Sequence, residues 1–224
     1  MGKTCAQVEQ QIRELVGDYQ ATTYQPEAVI EAINWGQNVV MRLKGFKVSD
    51  ALYTPAQYPT GEFPSDWLCV KRVLLVTPTG GLTPPSNDDT VHRVLEESAM
   101  SYEDSVNEMW KTTRAKYLPR RWTLVGNKQF SIVPPFLPTD GSGTGYKVRV
   151  HYIPMATPVA IPADDIDVTI PDYYQEAIRY IAVCYLLEKD TDLKSVQLKA
   201  EMYKSFQFHM ASGLEPLAIT EQDS

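Results

Sequence analysis

Apolar positions recur every three or four residues at both ends of the 224-residue chain and every two residues in its middle. From Pro171 to Gly213 the pattern predicts two consecutive helices, Asp172 to about Glu188 and Asp192 to about Met210, broken at Lys189-Asp190-Thr191. In the first, Tyr174, Ala177, Ile178, Ile181, Cys184 and Tyr185 share a face. Tyr180, Val183, Leu186 and Leu187 fill much of the remainder, which predicts a helix buried on most sides. In the second, Val196, Ala200, Tyr203, Phe206 and Met210 form the expected core stripe, and Lys194, Gln197, Glu201, Lys204 and Gln207 a wetter face. Pro171 suits a first helical turn, and Gly213 can adopt the left-handed conformation that closes one.

At the other end, Thr4 with Gln7 forms a capping-box pair, and Cys5, Val8, Ile12, Leu15 and Val16 make the apolar side of a helix stopped by Gly17-Asp18. A second helix is predicted from Pro26 to about Leu43, with Val29, Ile30, Ile33, Gln37, Val40 and Met41 along one side and Gly45 at its end. Trp35 lies off that stripe, and Gly36 beside it suggests a second packing neighbour.

From Ser49 the composition turns to Tyr, Pro and Thr, and the run from Tyr58 to Pro64 excludes a continuous helix. Trp67 to Val76 reads as a strand whose alternation slips at Lys71-Arg72, predicting a bulge or a change of covered face. Thr77 to Asp89 reads as an exposed connection. Between Val91 and Lys116 the pattern predicts short helices. Trp122 and Leu124 then alternate into a two-residue hairpin loop at Gly126-Asn127, and Phe130 and Ile132 continue on the return. In Tyr146 to Ile153, Tyr146, Val148, Val150 and Tyr152 face one side and Lys147, Arg149 and His151 the other, predicting a sheet with one wet face. The fold class expected is α+β: N- and C-terminal helices form an α-helical bundle, and an antiparallel β-sheet or sandwich domain is inserted between them. The domain bounds read as 1–48, 49–168 and 169–213, followed by an extended tail, 214–224.

At 43% hydrophobic, the chain can bury a core of its own. Its net charge of −7 argues against wrapping nucleic acid, although a mildly acidic wall lets a polyanion slide past. Cys5, Cys69 and Cys184 are odd in number and far apart, so they read as buried free thiols. No run is apolar for long enough to cross a bilayer and no leader pattern opens the chain, so a soluble protein made in the cytosol is expected.

The candidate chemistry is weak. Gly141-Ser-Gly-Thr-Gly145 leads into a strand, whereas a nucleotide loop opens a helix. Asp164-Asp165-Ile166-Asp167 lacks the glycine and distal Glu of a calcium loop. Glu96-Glu97 and Glu103-Asp104 show no spacing that holds an acid and a base across a glycosidic bond. His92, His151 and His209 are scattered, and no Ser or Cys sits in a nucleophile-elbow context. Lys116 to Trp122 is the one basic-aromatic cluster, a possible phosphate or acidic-partner contact and equally an aromatic strand start. Leu217 and Ile219, in a tail without helical pattern, suggest a segment that orders on a partner. No catalytic residue, cofactor or metal is expected.

Three stretches carry a family resemblance. Phe63-Pro-Ser-Asp-Trp-Leu-Cys-Val-Lys-Arg-Val73 opens a strand after the N-terminal helices. Trp122 through Phe130-Ser-Ile-Val-Pro-Pro135 and then Tyr146 to Tyr152 form a hairpin, a Pro-rich step and an alternating strand. Ile170-Pro-Asp-Tyr-Tyr-Gln-Glu-Ala-Ile178 enters the C-terminal helices. In this order they resemble the head-to-tail adaptor, or connector, proteins of tailed bacteriophages. The resemblance implies a non-enzymatic virion component of the neck, a ring of twelve copies under the portal protein that joins it to a tail, nozzle or tail-tube protein beside channel DNA. It implies no membrane partner. Under it, Leu214, Pro216, Leu217 and Ile219 are the expected portal contacts, and Tyr174, Tyr185, Tyr203 and Phe206 the expected subunit packing residues. The competing expectations are another neck or tail component, such as a tail terminator, and a cell-wall glycan hydrolase.

Overall fold

The computed structural model of the chain describes residues 2–53, 60–77, 90–102, 119–126, 128–134, 146–161 and 163–212. It divides at Lys47/Val48 and Pro154/Met155 into two compact units, one helical and one β.

The helical unit contains α1 (Cys5–Val16), α2 (Pro26–Lys44), α3 (Asp172–Leu186) with a single 3-10 turn (Leu187–Lys189), and α4 (Leu193–Ser212). The starts and stops are local chemistry. Thr4 Oγ1 accepts from the Gln7 backbone N–H at 3.3 Å while Gln7 Oε1 accepts from the Thr4 N–H at 3.0 Å, so the capping box is complete. Gly17 closes α1 at φ +73°, and Asp192 Oδ1 takes the Lys194 and Ser195 N–H groups at 3.0 Å to open α4.

Helix α3 is the hub, with α1, α2 and α4 all packed on it. The approach of α2 is close because Gly36 has no side chain. A Cβ there would lie 3.2 Å from a methyl of both Ile178 and Ile181, and 3.3 Å from the Ile178 carbonyl. Trp35, beside it, meets Tyr185 with ring centroids 5.1 Å apart, which is the second neighbour the sequence suggests.

Another face of α2 grips the returning chain through amides. Asn34 donates to the Val159 carbonyl at 2.9 Å and accepts from the Val159 N–H at 2.8 Å, and Asn38 accepts from the Ala156 N–H at 2.9 Å. The fully buried Gln37 accepts from the Asp167 N–H at 2.8 Å. Asp164 and Asp167 are acceptors for nearby backbone N–H groups, those of Ala160 and Ile161 for the first and of Thr157 and Thr169 for the second.

The β unit is a seven-stranded sheet: β1 (Ser49–Tyr53), β2 (Thr60–Glu62), β3 (Trp67–Thr77), β4 (Thr90–Glu97), β5 (Arg121–Val125), β6 (Gln129–Val133) and β7 (Lys147–Pro154), in the order β1-β7-β3-β4-β5-β6-β2. One core is built from Val73, Leu75, Leu95, Trp122, Phe130, Ile132, Val148 and Val150 with the aromatics around them. Each such fully buried large apolar side chain stabilises by about 1.5–3 kcal/mol.

The sheet curls until its two outer strands meet. Tyr53 of β1 donates its hydroxyl to the Glu62 carbonyl of β2 at 2.7 Å and sets its ring edge-on to Phe130 at 4.9 Å. Phe63 continues this cluster, stacked on Trp67 at 4.3 Å and lying 5.0 Å from Phe130.

The α+β reading holds, with four corrections in the β unit. Val91, Val94 and Leu95 belong to strand β4, where a helix is predicted; residues 100–102 are helical, and 103–116 lie outside the described residues. Their three-and-four spacing is that of a helix, and pairing with β3 overrides it. The sheet is not wholly antiparallel, since β4 and β5 run parallel over Glu96↔Arg121 and Glu97↔Trp122. The β5–β6 loop holds three residues, as Val125 pairs with Gln129 and the Lys128 carbonyl is taken by the Phe63 N–H at 2.9 Å. Finally, Arg149 is only 8% exposed, standing between Leu52 and Leu74 in register, so the predicted wet face of β7 is covered at that position while Lys147 and His151 stay half-exposed. The slip at Lys71-Arg72 is a bulge: pairing with β7 jumps from Val70 to Arg72.

At Gly61 a Cβ would lie 2.6 Å from Phe130 Cε1 and 3.2 Å from Tyr53 Cδ1. Gly61→Ala is therefore expected to cost about 1–3 kcal/mol by overpacking, measured by urea unfolding.

Asp18 ties the α1–α2 turn by accepting from the N–H groups of Thr22 at 2.9 Å, Thr23 at 3.1 Å and Tyr24 at 3.0 Å, and from Arg13 at 3.1 Å. The Tyr24 N–H above all, with those of Thr23 and Thr22, pulls its pKa down to about 2 against the opposing effect of burial. A depressed carboxylate stabilises fully above its unfolded value of about 4 and loses that contribution as pH falls toward 2. Asp18→Ala should thus lower the thermal midpoint at pH 7, and the gap to the parent should narrow below about pH 4. A gap unchanged down to pH 3 would refute the assignment.

Candidate interaction surfaces

Helix α4 has apolar side chains on two faces, and among the described residues only one of them is buried. Met202, Phe206 and Met210 are buried and Leu198 is half-buried, which places the inward stripe along 198–202–206–210. Val196, Ala200 and Tyr203, expected in that core, are exposed, as is Leu193. Phe206 and Met210 are the two members of the predicted stripe that point inward. Apolar residues cover more than half of this helix's circumference, so the position of α3, rather than the pattern, selects the buried part.

The residues read as subunit packing candidates therefore separate. Tyr174 is buried against Phe46 at 4.9 Å, with the Lys44 ammonium 5.0 Å from its ring, and Phe206 is buried. Tyr203 is half-exposed, its ring 6.2 Å from that of Phe206. Tyr185 donates its hydroxyl to Glu31 at 2.9 Å, which lifts the phenol above its ordinary pKa. Tyr24, Ala28, Glu31, Tyr185, Leu186 and Glu188 line a hollow of about 310 Å³. The portal candidates Leu214, Pro216, Leu217 and Ile219 lie outside the described residues.

The α1, α3 and α4 ends are joined by charge. Lys3 pairs with Glu176, which also meets Arg179 at 3.2 Å. Burial opposes ionisation of Glu176, but the Lys3 hydrogen bond and the nearby Arg179, Lys3 and His209 hold its carboxyl below the ordinary range. His209 stacks on Tyr180 at 5.2 Å. His151 instead pairs with Asp50 in the β unit, and His92 lies 2.7 Å from Thr77 Oγ1, so each histidine serves a different local contact.

Burial pushes the Cys5 and Cys184 thiols up to about 11, which keeps them protonated and unreactive. Of the basic-aromatic cluster, Trp122 is core and Arg121 sits 5.3 Å from the Tyr102 ring; Lys116 lies outside the described residues. Among the described residues, no group of three His, Cys, Asp or Glu can hold a metal ion, and no helix is long and apolar enough to cross a membrane.

Charge is divided unevenly. The helical unit has ten Lys and Arg against seventeen Asp and Glu, while the β unit has eleven of each, so the whole net charge of −7 belongs to the helical unit. Within it α4 is the exception, with Lys194, Lys199 and Lys204 against Glu201 alone.

The two faces of α4 should respond differently to truncation. Phe206→Ala is expected to cost about 3–5 kcal/mol of unfolding free energy by leaving a core cavity. Tyr203→Ala should change it by no more than about 0.5 kcal/mol. Chemical denaturation of the two variants distinguishes them, and a similar loss in both would contradict the inward and outward assignment.

No curated protein matches the chain. The family model described as SU10 adaptor protein matches residues 3–219, a span that includes both units and every element named above. That family consists of structural, non-catalytic virion proteins, which accords with a molecule whose most conspicuous features are packing surfaces. The chain belongs to the SU10 adaptor protein family, which supports a head-to-tail connector role.

Proposed function

We propose that the protein assembles as a ring of twelve copies that docks beneath the portal protein, joins it to the tail or nozzle and surrounds the DNA channel. The single observation that carries this reading is the family match across residues 3–219. Three properties of the chain support it. The helical unit keeps uncovered apolar surface on α4, as expected of a molecule whose final environment includes neighbours. Its excess acidity suits a wall past which DNA moves without sticking. The sequence after α4, Gly-Leu-Glu-Pro-Leu-Ala-Ile-Thr-Glu-Gln-Asp-Ser224, combines apolar residues with acid and has no helical period.

In this reading the helices stand side by side around the ring, with Tyr203 and Tyr185 at or near the seams, and the β units face the tail. Tyr174 and Phe206 hold each copy's own core together. Leu214, Pro216, Leu217 and Ile219 reach the portal. One short tail binds weakly, but a closed ring presents many at once, and linked sites can exceed a single site by about 10²–10⁴-fold in affinity.

The test is truncation after Ser212. The truncated chain should keep the parent's unfolding midpoint yet bind purified portal rings at least about 100-fold more weakly in a sedimentation or surface-binding assay. Undiminished affinity would remove the tail from the mechanism.

A further inference from the structure

The outward face of α4 has the spacing of a helix-receiving seam. Leu193, Val196, Ala200, Tyr203 and Gln207 follow one another at intervals of three, four, three and four. That repeat keeps a stripe aligned along a second helix. It lies about 120° around α4 from the stripe buried on α3, at 100° per residue. Leu193 is 72% exposed, Val196 50% and Tyr203 49%. Lys199 and Lys204 flank it on either side, and the only acid of α4, Glu201, sits away from it.

A face of complementary character exists on α1. Ala6, Glu9, Gln10, Arg13, Glu14 and Tyr19 line a shallow hollow of about 360 Å³. Arg13 is neutralised within the chain by Glu9 at 2.7 Å and Asp18 at 3.1 Å. Among the described residues Glu14 is engaged by a neutral Gln10 amide at 3.0 Å, so the hollow presents acid together with the apolar surface of Ala6 and a 76% exposed Tyr19.

Among the described residues neither face is covered by its own copy: Leu193, Val196 and Tyr203 stay exposed on α4, and Tyr19 stays exposed beside α1. A second copy can bring the two faces together.

Resting on the ring reading above, we propose that the α4 seam of one copy packs against the α1 face of the next, with Tyr203 and Val196 at its centre and Lys204 or Lys199 opposite Glu14. Two different faces in contact make a heterologous interface, the kind that closes into rings, whereas a self-complementary face would stop at a dimer.

The experiment replaces Tyr203 in the full chain with the photo-crosslinker p-benzoylphenylalanine, mixes it with isotope-labelled unmodified chain, and irradiates both on purified portal rings and at high concentration without them. The expected product links residue 203 to the 5–19 segment of the labelled copy. In parallel, the Val196→Glu/Tyr203→Glu chain should keep the parent's unfolding midpoint but bind portal rings at least about tenfold more weakly and with fewer copies per ring, because each bound copy no longer recruits the next. Links only to portal protein, links only within one chain, or wild-type stoichiometry and affinity in the double variant would each overturn the α4–α1 contact while leaving the adaptor reading intact. Should the unmodified chain fail to bind portal rings, the adaptor reading fails instead. The portal-free sample then decides the contact: a link to the labelled 5–19 segment supports it, and its absence refutes it.

Discussion

The helical unit depends on how near α2 can come to α3 at Gly36. With the Ile178 and Ile181 methyl groups and the Ile178 carbonyl 3.2–3.3 Å from where a Cβ would stand, the two helices meet almost backbone to backbone. That approach brings Trp35 onto Tyr185 and leaves the Asn34, Gln37 and Asn38 amides to meet the returning segment. Those amides bond the Ala156, Val159 and Asp167 N–H groups and the Val159 carbonyl directly, which holds the segment in place without a sheet or helix of its own. Helix α3 is thereby occupied by α2 on one side and by α1 and α4 on others, and α4 is left with one face in and one face out.

The β unit solves an analogous problem with another glycine. Gly61 lets the Phe130 ring lie against the β2 backbone, and Tyr53 then spans from β1 to the Glu62 carbonyl. A sheet that ended in two free edges would offer pairing sites to any other chain; bringing β1 and β2 together on one aromatic cluster limits that exposure. In both units the close contact is made where the side chain is absent, and large apolar residues supply the surrounding contact area.

These arrangements suit a protein whose role is contact rather than chemistry. The buried thiols have raised pKa values, the histidines serve separate local contacts, and the carboxylates best placed to bind an ion, Asp164 and Asp167, instead organise nearby backbone. On α4 the side chains of Leu193, Val196 and Tyr203 stay exposed.

The sequence by itself determined the parts whose causes are local. Thr4 with Gln7, Gly17, Pro26, Gly45 and Asp192 mark helix ends through hydrogen bonds or backbone angles available within a few residues, and the 3.6-residue period did the rest. The bulge at Lys71-Arg72 and the turn at Gly126 were also visible as breaks in the alternation, although the β5–β6 loop is one residue longer than the pattern predicts. Only the tertiary structure decided β1, β2 and β4, since a short strand exists by virtue of its partner's ladder, and the helix-like spacing of Val91 to Leu95 is overridden by pairing with β3. It also decided that Arg149 is covered, because Leu52 and Leu74 stand beside it in register, and that Phe206 faces inward while Tyr203 faces out. A helix with apolar residues over more than half its circumference does not encode which part will be buried; the neighbour that arrives makes that choice.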